Sequence, residues 1–164
     1  TRKLLSTAYF YNGPATVRYP RGTGPNKTIE KELKAFEIGK ANVVTDYGSK
    51  VVILNFGALL EEACSVAKDL QITLIDMRFV KPLDEELLKK YLTKADMFVS
   101  IEDGSVMGGA GSAVQEFCSR ENIEIKSVLF GIPDTFIEHA SRKEMLEEAG
   151  LTSKKIKSKI EDLL

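Results

Sequence analysis

The sequence predicts a three-layer α/β domain built on a five-stranded, mainly parallel sheet with one antiparallel strand. Three observations carry this. The runs "ITLIDM", "DMFVSI" and "IKSVLFGI" are almost uninterruptedly apolar, the mark of strands buried on both faces. The segments between them place apolar residues at helical spacing. Strand and helix alternate along the chain, which right-handed crossovers resolve into a sheet covered by helices on both sides.

Taken in order, Thr1 to Phe10 reads as a helix ended by Asn12-Gly13-Pro14, a strong turn signal. "ATVRYP" then reads as a strand ending at Pro20. From Arg21 to Gly39 there is no periodic apolar segment, which predicts a linker or a surface crossing. "ANVV" and "KVVILNF" flank Thr45-Asp46-Tyr47-Gly48. This predicts a hairpin whose first arm, 41–44, runs antiparallel near an edge.

The first helix of the regular part places Leu60, Ala63, Cys64, Ala67 and Leu70 on one face. The second starts at Asp84, a good N-cap, with Glu85 and Glu86 at the positive end of the helix dipole. The third carries Ala110, Ala113, Val114, Phe117 and Cys118 as its apolar stripe. Ser141 and Glu144 form a capping box for the fourth, and Gly150 stops it. The last segment, "SKKIKSKIEDLL", is amphipathic through Ile156, Ile160 and Leu163. Its lysines come first and its acids last, against the dipole, so packing must hold it.

Composition narrows the function classes. Lys and Arg number 23 against 24 Asp and Glu, and the net charge is −1. With no basic block interleaved with aromatics, nucleic acid is not an expected partner. No apolar run is long enough for a bilayer and no signal peptide is visible. A cytoplasmic protein with Cys64 and Cys118 as reduced core thiols is expected. The opening "TRKLLSTAYFYNG" lacks an initiator Met and reads as the last turns of a helix, so a piece of a larger protein is expected.

Few residues carry chemistry. "GGAGSAV" (Gly108 to Val114) lies between a strand and a helix, but Val114 stands where a dinucleotide fingerprint needs its third glycine, and there is no P-loop lysine. Its amides could meet an anion; close approach by a neighbouring chain is the favoured reading. In "RYPRG", Arg21 stands at a strand end, where a guanidinium can grip phosphate or carboxylate. Spacing alone leaves a surface salt bridge as the simpler reading, and Arg18 reads as structural. Asp76 and Arg78 bracket the carboxyl end of a buried strand, where α/β sites lie, yet a local ion pair explains them as well. His139, the one histidine, has neither a triad nor a metal cluster around it.

In this order, "GPATVRYPRG", "IGKANVV", "VVILNFGALLEEA", "TLIDMRFVKPLDEELL", "SIEDGSVMGGAGSAVQEF" and "GIPDTFIEHAS…LEEAGLT" resemble the C-terminal part of the 1-deoxy-D-xylulose-5-phosphate synthase family, transketolase-like thiamine diphosphate enzymes. The resemblance covers essentially the whole chain. It implies a transketolase C-terminal-domain-like fold over 39–164, with 1–38 the end of the pyrimidine-binding domain plus a linker. It implies an enzyme that condenses pyruvate with glyceraldehyde 3-phosphate, releases CO2, uses thiamine diphosphate and Mg²⁺, and works as a homodimer. The product feeds non-mevalonate isoprenoid, thiamine and pyridoxal synthesis.

The family's Gly-Asp-Gly motif with its downstream Asn has no counterpart here, since Glu102-Asp103-Gly104 stands in another context. The glutamate that activates the cofactor and the substrate-handling histidines lie upstream of Thr1 in such enzymes. The resemblance therefore implies no cofactor, metal or catalytic residue within this chain, and an isolated fragment that is inactive. Its partners would be the missing N-terminal domains. One site residue transfers: Arg21, the second arginine of "RYPRG", would hold the aldehyde's phosphate. The last domain of such enzymes mainly builds the dimer, so the glycine loop would mark a contact or a helix start. The alternatives are the C-terminal domain of a transketolase or a 2-oxo acid dehydrogenase beta subunit, and a non-catalytic flavodoxin-like binding module.

Overall fold

The computed structural model describes residues 1–17, 19 and 31–164. After helix α1 (Arg2–Phe10), the strands are β1 (Asn42–Thr45), β2 (Val51–Phe56), β3 (Thr73–Asp76), β4 (Met97–Ser105) and β5 (Lys126–Ile132). The helices between and after them are α2 (Leu60–Leu70), α3 (Glu85–Leu92), α4 (Ala110–Arg120), α5 (Arg142–Glu148) and α6 (Ser153–Glu161). The strands form one sheet in the order β1-β3-β2-β4-β5. All pairings are parallel except β1 with β3, giving the predicted sheet with one antiparallel strand at its edge.

Alternation along the strands divides the core in two. Val51 and Ile53 of β2, Leu74 of β3 and Met97, Val99 and Ile101 of β4 pack with α2 and α6. Val52, Leu54 and Phe56, with Ile75 and Phe98, pack with α3 and α4. Successive side chains on a strand point to opposite faces, so an uninterrupted apolar run is what a sheet covered twice requires. All six residues of β2, the central strand, are buried.

The predicted hairpin does not form. β1 lies against β3, with Asn42 opposite Asp76, and β3 separates it from β2. A strand buried at every position needs neighbours on both edges, and β3 and β4 bury more apolar surface beside β2 than the short, half-exposed β1 could. The Asp-x-Gly turn survives as a crossing loop. The Asp46 carboxylate accepts from the Gly48 N–H at 3.0 Å, the Thr73 hydroxyl at 3.1 Å and the Tyr91 hydroxyl at 2.8 Å. That ties the loop to β3 and α3.

A second expectation also needs correction. Residues 15–17 and 19 of "ATVRYP" are not strand. A strand needs a ladder partner, and they pair with none among the described residues. Arg18 and Pro20 lie outside the described residues.

The local signals at helix starts hold. The Asp84 carboxylate caps α3 by accepting from the Leu87 N–H, and both halves of the Ser141–Glu144 capping box are made. In α6, Ile156 and Ile160 are fully buried, worth roughly 3–6 kcal/mol together, which offsets the adverse order of its charges. Ser153 N–H donates to Glu62 and Lys157 pairs with Asp69, fastening α6 to α2. Leu163, predicted to extend the stripe, lies past the helix end and is half exposed.

Candidate functional site

The chain leaves β2 toward β3 on one side and later returns to β4 on the other. In such sheets the two connections diverge and open a crevice beyond the carboxyl ends of the strands, the usual place for a ligand. Here that edge is built by Asn55 to Gly57 at the end of β2, Asp76 to Arg78 at the end of β3, and Glu102 and Asp103 in the second half of β4. Register places Asn55 between Asp76 and Ile101. Asn55 is fully buried; its Nδ2 donates to the Gly57 carbonyl at 3.2 Å, while its Oδ1 has no hydrogen-bond partner.

The glycine loop is closed from within. Pairing between β4 and β5 slips between Ile101 and Ser105, and this irregularity turns the buried Glu102 side chain beneath the start of α4. One carboxylate oxygen accepts from the Ala110 N–H and the other from the Gly111 N–H, both at 3.0 Å. A carboxylate at a helix N-terminus satisfies donors that have no partner within the helix and meets the positive end of its dipole.

The glycines follow from this closeness. A Cβ on Gly109 would stand 2.5 and 2.6 Å from the Glu102 oxygens, and one on Gly111 would stand 2.3 Å from the Ser100 hydroxyl. Atoms of the same chain therefore already require glycine at these two positions, the Ser105 carbonyl and Glu102 at Gly109 and Ser100 and Leu129 at Gly111. The Ala110 and Gly111 amides, which the sequence offered to an anion, are already taken. The Asp103 carboxylate lies beside the turn after β2, its Oδ1 3.0 Å from where a Cβ on Gly57 would be.

Beyond β3 the edge is different. Arg78 has φ +58, a left-handed conformation that costs a non-glycine residue roughly 1–2 kcal/mol. The Phe79 N–H donates to the Met77 carbonyl, so a three-residue turn is centred on Arg78. Strain of this kind persists where surrounding structure enforces it and concentrates at functional sites. The Arg78 Nε lies 3.7 Å from an Asp76 oxygen, inside ion-pair range but too long for a hydrogen bond, and it is buried with no hydrogen-bond partner. Its guanidinium carbon stands 4.3 Å from the centroid of the Phe36 ring. Burial pushes the Asp76 carboxyl up, and the charge of Arg78 followed by its backbone N–H opposes that without cancelling it. A partly desolvated guanidinium that is not hydrogen-bonded to its neighbouring carboxylate is suited to an incoming anion.

The other candidates are scattered. Arg21, the predicted phosphate contact, lies outside the described residues, as does Arg18. His139 is exposed, in the turn before α5. Cys118 is buried in α4, and burial raises its thiol pKa; Cys64 is half-buried on α2, and no disulfide joins the two. A cleft of about 250 Å³ lined by Asp46, Lys50, Thr73, Lys90, Tyr91 and Lys94 opens at the amino end of β2. Another, of about 490 Å³, lies between α2, α5 and α6.

Among the described residues no group of three or more His, Cys, Asp or Glu could hold a metal. With the α4 amides bound to Glu102, these residues do not fit a metal-bound diphosphate. Asp76 and Arg78 were legible as a pair in the sequence; the strained turn and the Phe36 ring were not.

The edge-antiparallel sheet, layered by helices and capped at its switch point by its own acids, places the chain in a defined class. Residues 39–156 match the family "Transketolase, C-terminal domain", and the chain belongs to it. The chain is 53% identical over 164 residues to a 1-deoxy-D-xylulose-5-phosphate synthase of Pseudomonas fluorescens, covering 99% of the chain and 26% of that protein. It is 48% identical over 163 residues to one of Pseudomonas aeruginosa, with 99% and 26% covered. It thus spans about a quarter of these curated relatives. Among solved structures, a split-gene transketolase described as an inactive beta4 tetramer superposes with TM-score 0.69 at 30% identity, over 88% of this chain and 45% of that one. Transketolase from Campylobacter jejuni shares the fold, with TM-score 0.56 at 17% identity over 79% of this chain and 21% of that one. Among the described residues, no helix is long and apolar enough to cross a membrane.

Proposed function

We propose that this chain is the C-terminal quarter of a 1-deoxy-D-xylulose-5-phosphate synthase, which joins pyruvate to glyceraldehyde 3-phosphate with loss of CO2 and serves isoprenoid, thiamine and pyridoxal synthesis. The single observation that carries this is identity near 50% across 99% of the chain to such synthases. Residues 1–38 are then the end of the preceding pyrimidine-binding domain with its linker, and 39–164 the last domain. Thiamine diphosphate and Mg²⁺ belong to the preceding domains, the working enzyme is a cytoplasmic homodimer, and the chain alone is inactive.

Within this reading the chain contributes substrate contacts. Arg21 holds the aldehyde's phosphate, and Arg78, backed by Asp76, meets an anionic group of a substrate. The position of Arg78 at the carboxyl edge, with its guanidinium partly exposed and no closer than 3.7 Å to Asp76, supports the second assignment. Bidentate guanidinium contacts of this kind bind planar or tetrahedral anions and keep their charge at any working pH.

The test is an assay of the intact protein, with the preceding domains joined, on labelled pyruvate and glyceraldehyde 3-phosphate. Formation of 1-deoxy-D-xylulose 5-phosphate and CO2 supports the reading; turnover of sugar phosphates alone points to a transketolase. In the intact enzyme Arg21→Ala should raise KM for glyceraldehyde 3-phosphate and leave unphosphorylated glyceraldehyde unaffected. Equal loss with both aldehydes would make Arg21 structural.

A further inference from the structure

Residues 31–41, which lead into the sheet, are pinned at both ends. On the α1 side, the Phe36 N–H donates to the Thr7 hydroxyl at 2.8 Å, and Arg2 donates to the Lys31 carbonyl at 2.9 Å. On the sheet side, the Ala41 N–H donates to Asp84 at 3.0 Å and the Lys40 ammonium pairs with Glu86 at 2.9 Å. Both acids stand at the start of α3, just after the loop that carries Arg78. Between these pins Phe36 presents its ring to two cations, the Arg78 guanidinium at 4.3 Å and the Lys3 ammonium at 5.9 Å from the centroid.

We propose that Phe36 is a positioning residue for Arg78: the pinned segment lays an aromatic face against the guanidinium and holds it ready for a substrate anion. This rests on the reading that Arg78 meets such an anion. The polar contacts of Arg78 do not fix its orientation, since Asp76 is beyond hydrogen-bond reach and Nε has no acceptor. A stacked ring restricts the plane of the guanidinium while leaving its in-plane N–H groups available, which a salt bridge would consume. Arg78 sits on a strained turn, so its side chain leaves the backbone in an imposed direction, and Phe36 lies where that direction leads. Ordering an arginine before the ligand arrives removes a cost that binding would otherwise bear.

The experiment is steady-state kinetics of the intact synthase with pyruvate, glyceraldehyde 3-phosphate and unphosphorylated glyceraldehyde titrated separately. Arg78→Ala is expected to raise KM for one substrate; pyruvate identifies a carboxylate contact, and the phosphorylated aldehyde alone identifies a phosphate contact. Phe36→Leu, which keeps apolar bulk without a π face, is expected to raise that same KM by about 3- to 10-fold with kcat nearly unchanged. Phe36→Tyr should restore it. In the Arg78→Ala background, Phe36→Leu should add nothing. If Phe36→Leu does not fold, Thr7→Val, which unpins the segment but keeps the ring, should raise the same KM by about 2- to 3-fold. The inference is overturned if Phe36→Leu leaves KM unchanged while Arg78→Ala raises it, if its effect persists without Arg78, or if Thr7→Val is silent where it stands in. No KM change in Arg78→Ala overturns instead the site reading beneath it.

Discussion

The Glu102 carboxylate, in the second half of β4, receives the backbone N–H of Gly111 at 3.0 Å, while its second oxygen receives that of Ala110. A buried side chain thus occupies the place where many α/β proteins hold phosphate. Gly109 of "MGGAGSAV" lets the helix start approach this carboxylate, since a Cβ there would stand 2.5 and 2.6 Å from its oxygens.

Glu102→Ala is expected to leave two helix N–H groups buried without acceptors and to lower stability by about 2–4 kcal/mol. Glu102→Gln keeps one acceptor but turns an amide N–H₂ toward a donor, and should cost about half as much. Denaturant unfolding of the 164-residue chain measures both. Equal stability of wild type and Glu102→Ala would show that the carboxylate does not cap α4.

Gly111→Ala would put a methyl group 2.3 Å from the Ser100 hydroxyl and 2.9 Å from a Leu129 methyl. Overpacking of this kind costs roughly 1–3 kcal/mol. Ser100→Ala in the same chain should recover part of the loss, because it removes the nearest atom and leaves the Leu129 contact. The shift in denaturation midpoint reads this directly; no recovery would mean that the strain lies elsewhere in the loop.

Such contacts mark the limit of what the sequence shows. The Asp84 cap and the Ser141–Glu144 box were legible because their partners lie three residues away, within one helical turn. Burial of β2 to β4 was legible from unbroken apolar runs. The pairing of β1 with β3 was not, since a local turn signal says nothing of the strand that arrives thirty residues later and buries more surface. Glu102 was visible as half of an acidic pair, but its role needs a slip in the β4–β5 pairing that no composition announces. Phe36 sits in a charged stretch without periodicity, and only the tertiary path brings its ring to Arg78.

Tyr91→Phe tests the crossing loop and its pH dependence. The Asp46 carboxyl is held below the ordinary aspartate range, first by the Gly48 N–H and then by the Tyr91 hydroxyl. A folded-state value below the unfolded one stabilises at pH above the unfolded value and is lost as pH falls through the folded one. The variant should lose about 0.5–1 kcal/mol near neutrality, toward the low end because the pair is solvent-exposed. The difference from wild type should shrink as pH drops below 3.8, the ordinary aspartate value. A gap that stays constant down to strongly acid pH would detach the hydroxyl from the Asp46 charge.

Under the proposed function this chain supplies substrate contacts, while the cofactor is held by other domains of the same protein. Titration calorimetry of the 164-residue chain with thiamine diphosphate and Mg²⁺ addresses it most directly. The expected result is no saturable heat, because the α4 amides are taken by Glu102 and no metal-binding cluster exists among the described residues. Saturable binding at micromolar cofactor would contradict the account.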